Sequence, residues 1–154
     1  MYKRILVPVD GSKTSMKGLQ EAIRLAKGCK ARLRLVHVVD ESMAFRDSAF
    51  SFGTENILDI LTKGGEQALK SAADFAKKQG LKAETALIES FKGRVAEGIV
   101  GDAKKWRADL LVLGTHGRRG VSHLLLGSDA ELVVRLSTVP VLLVRGVSPV
   151  KRKR

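Results

Sequence analysis

Five short apolar runs punctuate the chain: Ile5 to Val9, Leu33 to Val39 with Arg34 and His37 inside it, a weaker Ala83 to Ile88, Leu110 to Leu113, and Val139 to Val144. Runs this short, apolar at consecutive positions, suit strands covered on both faces, as in a parallel sheet. The stretches between them repeat every three or four residues. Met16, Leu19, Ile23 and Ala26 form one helical stripe, which Ser12 can cap and Gly28 can end. Ile57, Leu61, Ala68, Ala72 and Phe75 form a second, in which Gly64-Gly65 predicts an irregularity. Val95, Ile99, Ala103 and Trp106 form a third, and Ser128 is placed to cap a short fourth helix carrying Ala130, Val133 and Val134. The order β-α-β-α-β-α-β-α-β predicts an α/β fold: an open parallel sheet with right-handed crossovers and helices on both faces. One long connection, Asp40 to Gly53, has no clear period and carries Phe45, Phe50 and Phe52. Such loops are commonly functional, and these rings suit either a dimer patch or packing onto the core.

Composition narrows the class without naming a function. At 154 residues, 44% hydrophobic and 29% charged, the chain suits one folded domain, expected to span residues 1–146 with a basic tail at 147–154. Cys29 is the single cysteine, which suits a reducing compartment. No segment approaches the apolar length that spans a bilayer, and Asp10 cuts short the apolar run from Ile5. The expectation is a cytoplasmic protein with no membrane association. The net charge of +12 favours phosphate-bearing partners, while the preferred reading of Lys151-Arg152-Lys153-Arg154 is a solvated tail that aids solubility.

Open parallel sheets bind ligands at the carboxyl ends of their strands, where strand order reverses. Two strand ends carry unusual residues: Val9-Asp10-Gly11-Ser12 after the first, and Gly114-Thr115-His116-Gly117 after the fourth. Nine residues separate Gly117 from Gly127-Ser128, where a helix opens. Glycines admit close backbone approach, and the free amides and positive dipole end of a helix N-terminus favour anions. The Ser128 hydroxyl, His116, Arg118 and Arg119 add donors or charge. The set suits a phosphate, yet it is neither a Walker loop, lacking any Gly-Lys pair, nor a dinucleotide fingerprint, lacking any Gly-x-Gly.

The pattern Gly114-x2-Gly117-x9-Gly127-Ser128 resembles the ATP-binding signature of the universal stress protein family. So do Ile5-Leu6-Val7-Pro8-Val9-Asp10-Gly11-Ser12, Val36-His37-Val38, Ala108 to Gly114, and Val139-Pro140-Val141-Leu142-Leu143-Val144-Arg145, and the resemblance covers residues 2–145. It implies a five-stranded parallel sheet of order 3-2-1-4-5, a homodimer joined through the last strand, and a stress-response or regulatory ATP binder with slow hydrolysis at most. By the same resemblance Asp10 lies near the ribose or a nucleotide-bound Mg²⁺. Val38 offers backbone groups to adenine, Pro8, Val9 and Leu113 line the pocket, and Gly114, Gly117, Gly127 and Ser128 contact phosphates and ribose. Asp129 stands where the family usually has a small apolar residue. A carboxylate there suits the helix dipole but repels phosphate if turned inward.

Plainer readings stand beside these. Asp10 suits a cap on the first helix, and His37 a hydrogen-bonded core residue. His116 and His123 read as loop residues, and Cys29 as an incidental thiol. Scattered histidines and one cysteine give no zinc spacing, and no nucleophile elbow or Walker lysine supports catalysis, so an enzyme is not expected. The alternatives are an adenylate-forming or ATP-hydrolysing enzyme, and a basic nucleic-acid-associated protein. For the latter, Gly117-Arg118-Arg119-Gly120 resembles a KH loop but follows a strand, and aromatics are scarce at 5%.

Overall fold

The computed structural model describes residues 1–47, 54–90, 94–115 and 126–146. Gly117, Gly120, His116, Arg118, Arg119, His123, Phe50, Phe52, the Phe45 side chain and the tail from 147 lie outside the described residues, with the expectations placed on them. The elements run β1 (Arg4–Pro8), α1 (Lys13–Cys29), β2 (Arg32–Asp40), α2 (Ser42–Asp47), α3 (Thr54–Lys78), β3 (Ala83–Ser90), α4 (Val95–Trp106), β4 (Leu110–Gly114), α5 (Ser128–Leu136) and β5 (Val141–Val144). Five strands, all parallel, form one sheet in the order β3-β2-β1-β4-β5, as expected.

Consecutive apolar positions are explained by two covered faces. Ile5, Val7, Leu33, Leu35 and Val112 pack under α1 and α3, whereas Leu6, Val36, Leu111 and Leu113 pack under α4 and α5. A side chain alternates faces at every strand position, so both registers must be apolar.

Several local expectations change. Gly28 lies inside α1, and the left-handed C-cap is Lys30, whose amide donates to Ala26 O and Lys27 O. The helix passes Gly28 because Ala26 and Ile23 are still buried against the sheet and hold the last turn. Gly64-Gly65 causes no break: α3 is continuous, and Gly65 packs directly over His37. Gly127, not Ser128, is the N-cap of α5, with no side-chain capping bond, and Val134 is exposed while Ala130 and Val133 are buried. The 40–53 connection contains the short helix α2, opened by Asp40, whose Oδ1 accepts from the Ser42 amide at 3.0 Å. β5 is shorter than its apolar run, starting after Pro140, which has no amide to donate and stands at the open edge of the sheet.

At the amino edge of the sheet, α4 is locked by Trp106. The Arg4, Arg32 and Arg34 guanidinium groups lie 5.7–5.8 Å from its ring centre. Its indole N–H donates to Glu84 at 3.1 Å, and Arg4 donates to its carbonyl at 2.6 Å. Arg34 makes a two-pronged bond to Asp102 at 2.7 and 3.0 Å, which raises the arginine's pKa further. Burial alone would raise the Glu84 carboxyl, but the bonds from Arg32 and Trp106 and the arginine charges outweigh it and hold the group below its usual range.

Candidate functional site

Strand order reverses between β1 and β4, because β1 connects to β2 on one side while β4 lies on the other. β1 pairs with β2 over five positions, Arg4↔Arg32 to Pro8↔Val36. Its pairing with β4 is limited to Ile5↔Leu110 and Leu6↔Leu111, although β4 continues to Gly114. The carboxyl ends of the two central strands therefore carry no ladder between them, which is the crevice of a doubly wound sheet.

Next to that crevice the β1–β2 ladder ends in an unusual way. Val9 N–H donates to Val36 O at 2.8 Å, and the next rung would be Val38 N–H to Val9 O. That rung is absent; Val9 O instead meets His37 Nδ1 at 2.7 Å. A carbonyl only accepts, so Nδ1 must carry the proton. In a strand, alternate residues present their N–H and C=O to the same side. The Val38 backbone pair therefore points toward β1, past the point where β1 has stopped. His37 was legible as a hydrogen-bonded core residue, but its effect on Val38 was not.

The residues expected at the site come together at this edge. Pro8 and Val9 end β1; Val9 is buried in the α1–α3 core and Leu113 in the α4–α5 core, so both face the crevice with backbone. Asp10 is half-buried and its Oδ1 accepts from Ser12 N–H at 2.9 Å. Ser12 is the N-cap of α1, accepting from Ser15 N–H at 3.1 Å, so Asp10 shapes the entry to α1 as well as flanking the crevice. The Val38 side chain packs under α4, where a Cβ on Gly98 would lie 3.2 Å from both its methyls.

Gly114 ends β4 beside the crevice and also serves packing. A Cβ there would meet Thr14 C and O at 2.8 Å, and one on Gly18 would meet Gly114 N at 3.2 Å. The two glycines let the first turns of α1 lie directly on the end of β4, so Gly114 serves packing. Glycine in the interior of a helix was the available signal for Gly18. Thr115, also missed, is buried; its N–H donates to Val144 O at 3.0 Å, and its carbonyl accepts from Gly127 N–H at 2.8 Å. That second bond ties the start of α5 to the end of β4. The first intrahelical bond of α5 uses Glu131 N–H, so the amides before it face outward at the helix's positive end. Ser128 and Asp129 are both exposed in that first turn. Two hollows lie elsewhere, about 410 Å³ along α3 and β3 and about 180 Å³ between α4 and the α5–β5 turn, neither at the carboxyl ends of the central strands.

Among the described residues, no group of three or more His, Cys, Asp or Glu is arranged to hold a metal, and no helix is long and apolar enough to cross a membrane.

Fold and crevice define a doubly wound α/β protein with a crevice at the β1–β4 switch point. The model of the universal stress protein family matches residues 1–145, and the chain belongs to that family. Universal stress protein MJ0531 of Methanocaldococcus jannaschii is 38% identical over 145 residues, covering 94% of this chain and 83% of that protein. The solved structure of MJ0577, described as a structure-based assignment of biochemical function, superposes with a TM-score of 0.82 at 26% identity, covering 96% of this chain and 99% of the other. A universal stress protein solved in complex with cAMP superposes with a TM-score of 0.68 at 28% identity, covering 93% and 97% of the two chains.

Proposed function

We propose that this protein binds an adenine nucleotide, ATP with Mg²⁺ by preference, in the crevice between β1 and β4, and acts as a regulatory stress protein rather than an enzyme. The observation that carries this reading is the interrupted ladder at Val9. With Val9 O taken by His37, the Val38 N–H and C=O form an adjacent donor and acceptor, which matches the donor–acceptor edge of adenine. The amides opening α5, fixed by the Gly127–Thr115 bond, suit phosphates on the other side. Gly117, by its spacing in the sequence, belongs to the same phosphate loop. The cAMP complex of a structural neighbour supports an adenine nucleotide as the ligand class. Asp10 is the carboxylate available to a nucleotide-bound Mg²⁺; its Oδ1 already accepts from the Ser12 amide, which fixes it at the crevice. A homodimer through β5 is part of the proposal. β5 is an edge strand whose four apolar residues are all half-buried, and Val134 and Leu136 of α5 are 42% and 40% exposed.

Isothermal titration of MgATP, ADP and cAMP, with Gly117→Val and Ser128→Ala variants, tests the site. Micromolar binding weakened in both variants is expected; no binding of any adenine nucleotide at millimolar concentration would overturn it. Light scattering of the full chain tests the dimer, with Leu142→Lys expected to yield monomers.

A further inference from the structure

All five strands begin, and α1, α3, α4 and α5 end, on the edge of the sheet opposite the crevice. Positive charge is concentrated there. Lys3, Lys30, Lys82 and Arg107 in the loops are exposed, as are Lys104 and Lys105 in the last turn of α4. Most carboxylates of this edge are already engaged; the exposed Asp74 stands three and four positions before the exposed Lys77 and Lys78 at the end of α3. Glu84 binds Arg32 and the Trp106 indole, Asp102 binds Arg34, and Asp109 accepts from the Lys3 and Arg4 amides. Among the described residues, none of those six cations forms an ion pair.

Helix dipoles account for lysines in a final turn. They do not account for the next position. Lys30 and Arg107 hold the left-handed C-caps of α1 and α4 at φ 55° and 58°, where an L side chain is strained and glycine is the ordinary choice. At the end of α3 the chain does use glycine, Gly80 at φ 79°. Two exposed cations thus occupy costly positions on one face.

We propose that this amino edge docks the phosphate backbone of duplex nucleic acid without reading its sequence. Five strands about 4.8 Å apart give an edge roughly 19 Å across, enough to meet phosphates on both sides of a groove about 12 Å wide. Single strands fit less well: Trp106 is only 8% exposed and already faced by guanidinium groups, and Tyr2 packs against the core, so among the described residues this edge presents no open aromatic platform for bases. A lipid surface also fits less well. Met1 and Leu136 are the exposed large apolar residues of this edge among the described ones, too few for an inserted stripe. The proposal is independent of the nucleotide site at the other edge.

Fluorescence anisotropy of the full chain with a labelled 24-base-pair DNA duplex, over a range of salt concentrations, tests it. In Lys30→Gly/Arg107→Gly, glycine suits the backbone, so the melting temperature holds or rises while duplex affinity falls. Two lost phosphate contacts lower the slope of log K against log salt by about 1.8, or about 60-fold in affinity at 0.1 M salt. Lys104→Gln/Lys105→Gln, on a helix surface, is expected to fall in parallel. Unchanged affinity and slope in both variants would overturn the proposal. So would loss of all binding on deleting residues 151–154, or tighter binding to phosphatidylserine vesicles than to the duplex.

Discussion

Adjacent glycines in the middle of α3 give a matched pair of perturbations with opposite expected signs. An alanine Cβ at Gly64 would meet nothing within 4 Å, while one at Gly65 would lie 2.5 Å from His37 Cδ2 and 2.8 Å from Leu87 Cδ1. Alanine in place of glycine in a helix interior gains about 1 kcal/mol, and Gly64→Ala should realise that in full. Gly65→Ala receives the same gain but must displace an imidazole held at 2.7 Å by Val9 O. Overpacking costs about 1–3 kcal/mol, and the disturbed hydrogen bond about 1 kcal/mol more. The net expectation is a loss of about 1–3 kcal/mol, leaving the two variants about 2–4 kcal/mol apart. Urea unfolding monitored by circular dichroism measures both. At about 2–4 °C per kcal/mol for a chain of this size, melting temperatures should separate by at least 4 °C or so. In a His37→Ala background Gly65→Ala should lose most of its penalty, because the clashing ring is gone and only the flexible Leu87 Cδ1 contact at 2.8 Å remains. Equal stability of the two single variants would refute the packing argument, and a penalty that persists without His37 would refute its assignment to the ring.

Three further outcomes follow from other parts of the structure. Gly114→Ala, whose Cβ would press on the Thr14 backbone at 2.8 Å, should cost about 3 kcal/mol in urea unfolding, whereas Gly28→Ala, which meets nothing within 4 Å, should gain up to about 1 kcal/mol. Asp102→Ala leaves Arg34, its side chain 20% exposed, with only Glu84 at 3.7 Å, and should cost about 1–3 kcal/mol; Arg34→Met/Asp102→Leu should recover most of it, by a double-mutant cycle. Two glutamates give opposite pH signatures in thermal melts. Burial and the Glu89 charge raise the Glu41 pKa, so its ionisation opposes folding above the ordinary glutamate value of about 4.3, and Glu41→Gln should stabilise at pH 8 but not at pH 3. Glu84 is held low, so its stabilising contribution is present above about 4.3 and lost as pH falls through its folded value; Glu84→Gln should destabilise at pH 8 and far less at pH 3.

The sequence by itself determined the layers and their order. Apolar residues at consecutive strand positions require cover on both faces, and that pattern, alternating with helical stripes, admits little but a parallel sheet. The stripe of α1 and its Ser12 cap were legible for the same reason, since both depend on spacings of three or four residues. What depended on contacts distant in sequence was not legible. Gly114 was legible as a glycine at a strand end, but its packing against α1 at Gly18, 96 residues earlier in the chain, was not. Gly64-Gly65 looked like an irregularity because propensity is local, whereas burial of Ala68, Leu69, Ala72 and Ala76 against the sheet carries α3 through both positions. His37 was recognisable as a strand residue, but its bond to Val9 O exists only because β1 and β2 lie side by side. The tertiary structure alone decided that this bond replaces a ladder rung, and so that the Val38 backbone faces the crevice. A strand's pattern records which side chains are buried; it holds no record of which backbone groups its neighbour leaves open.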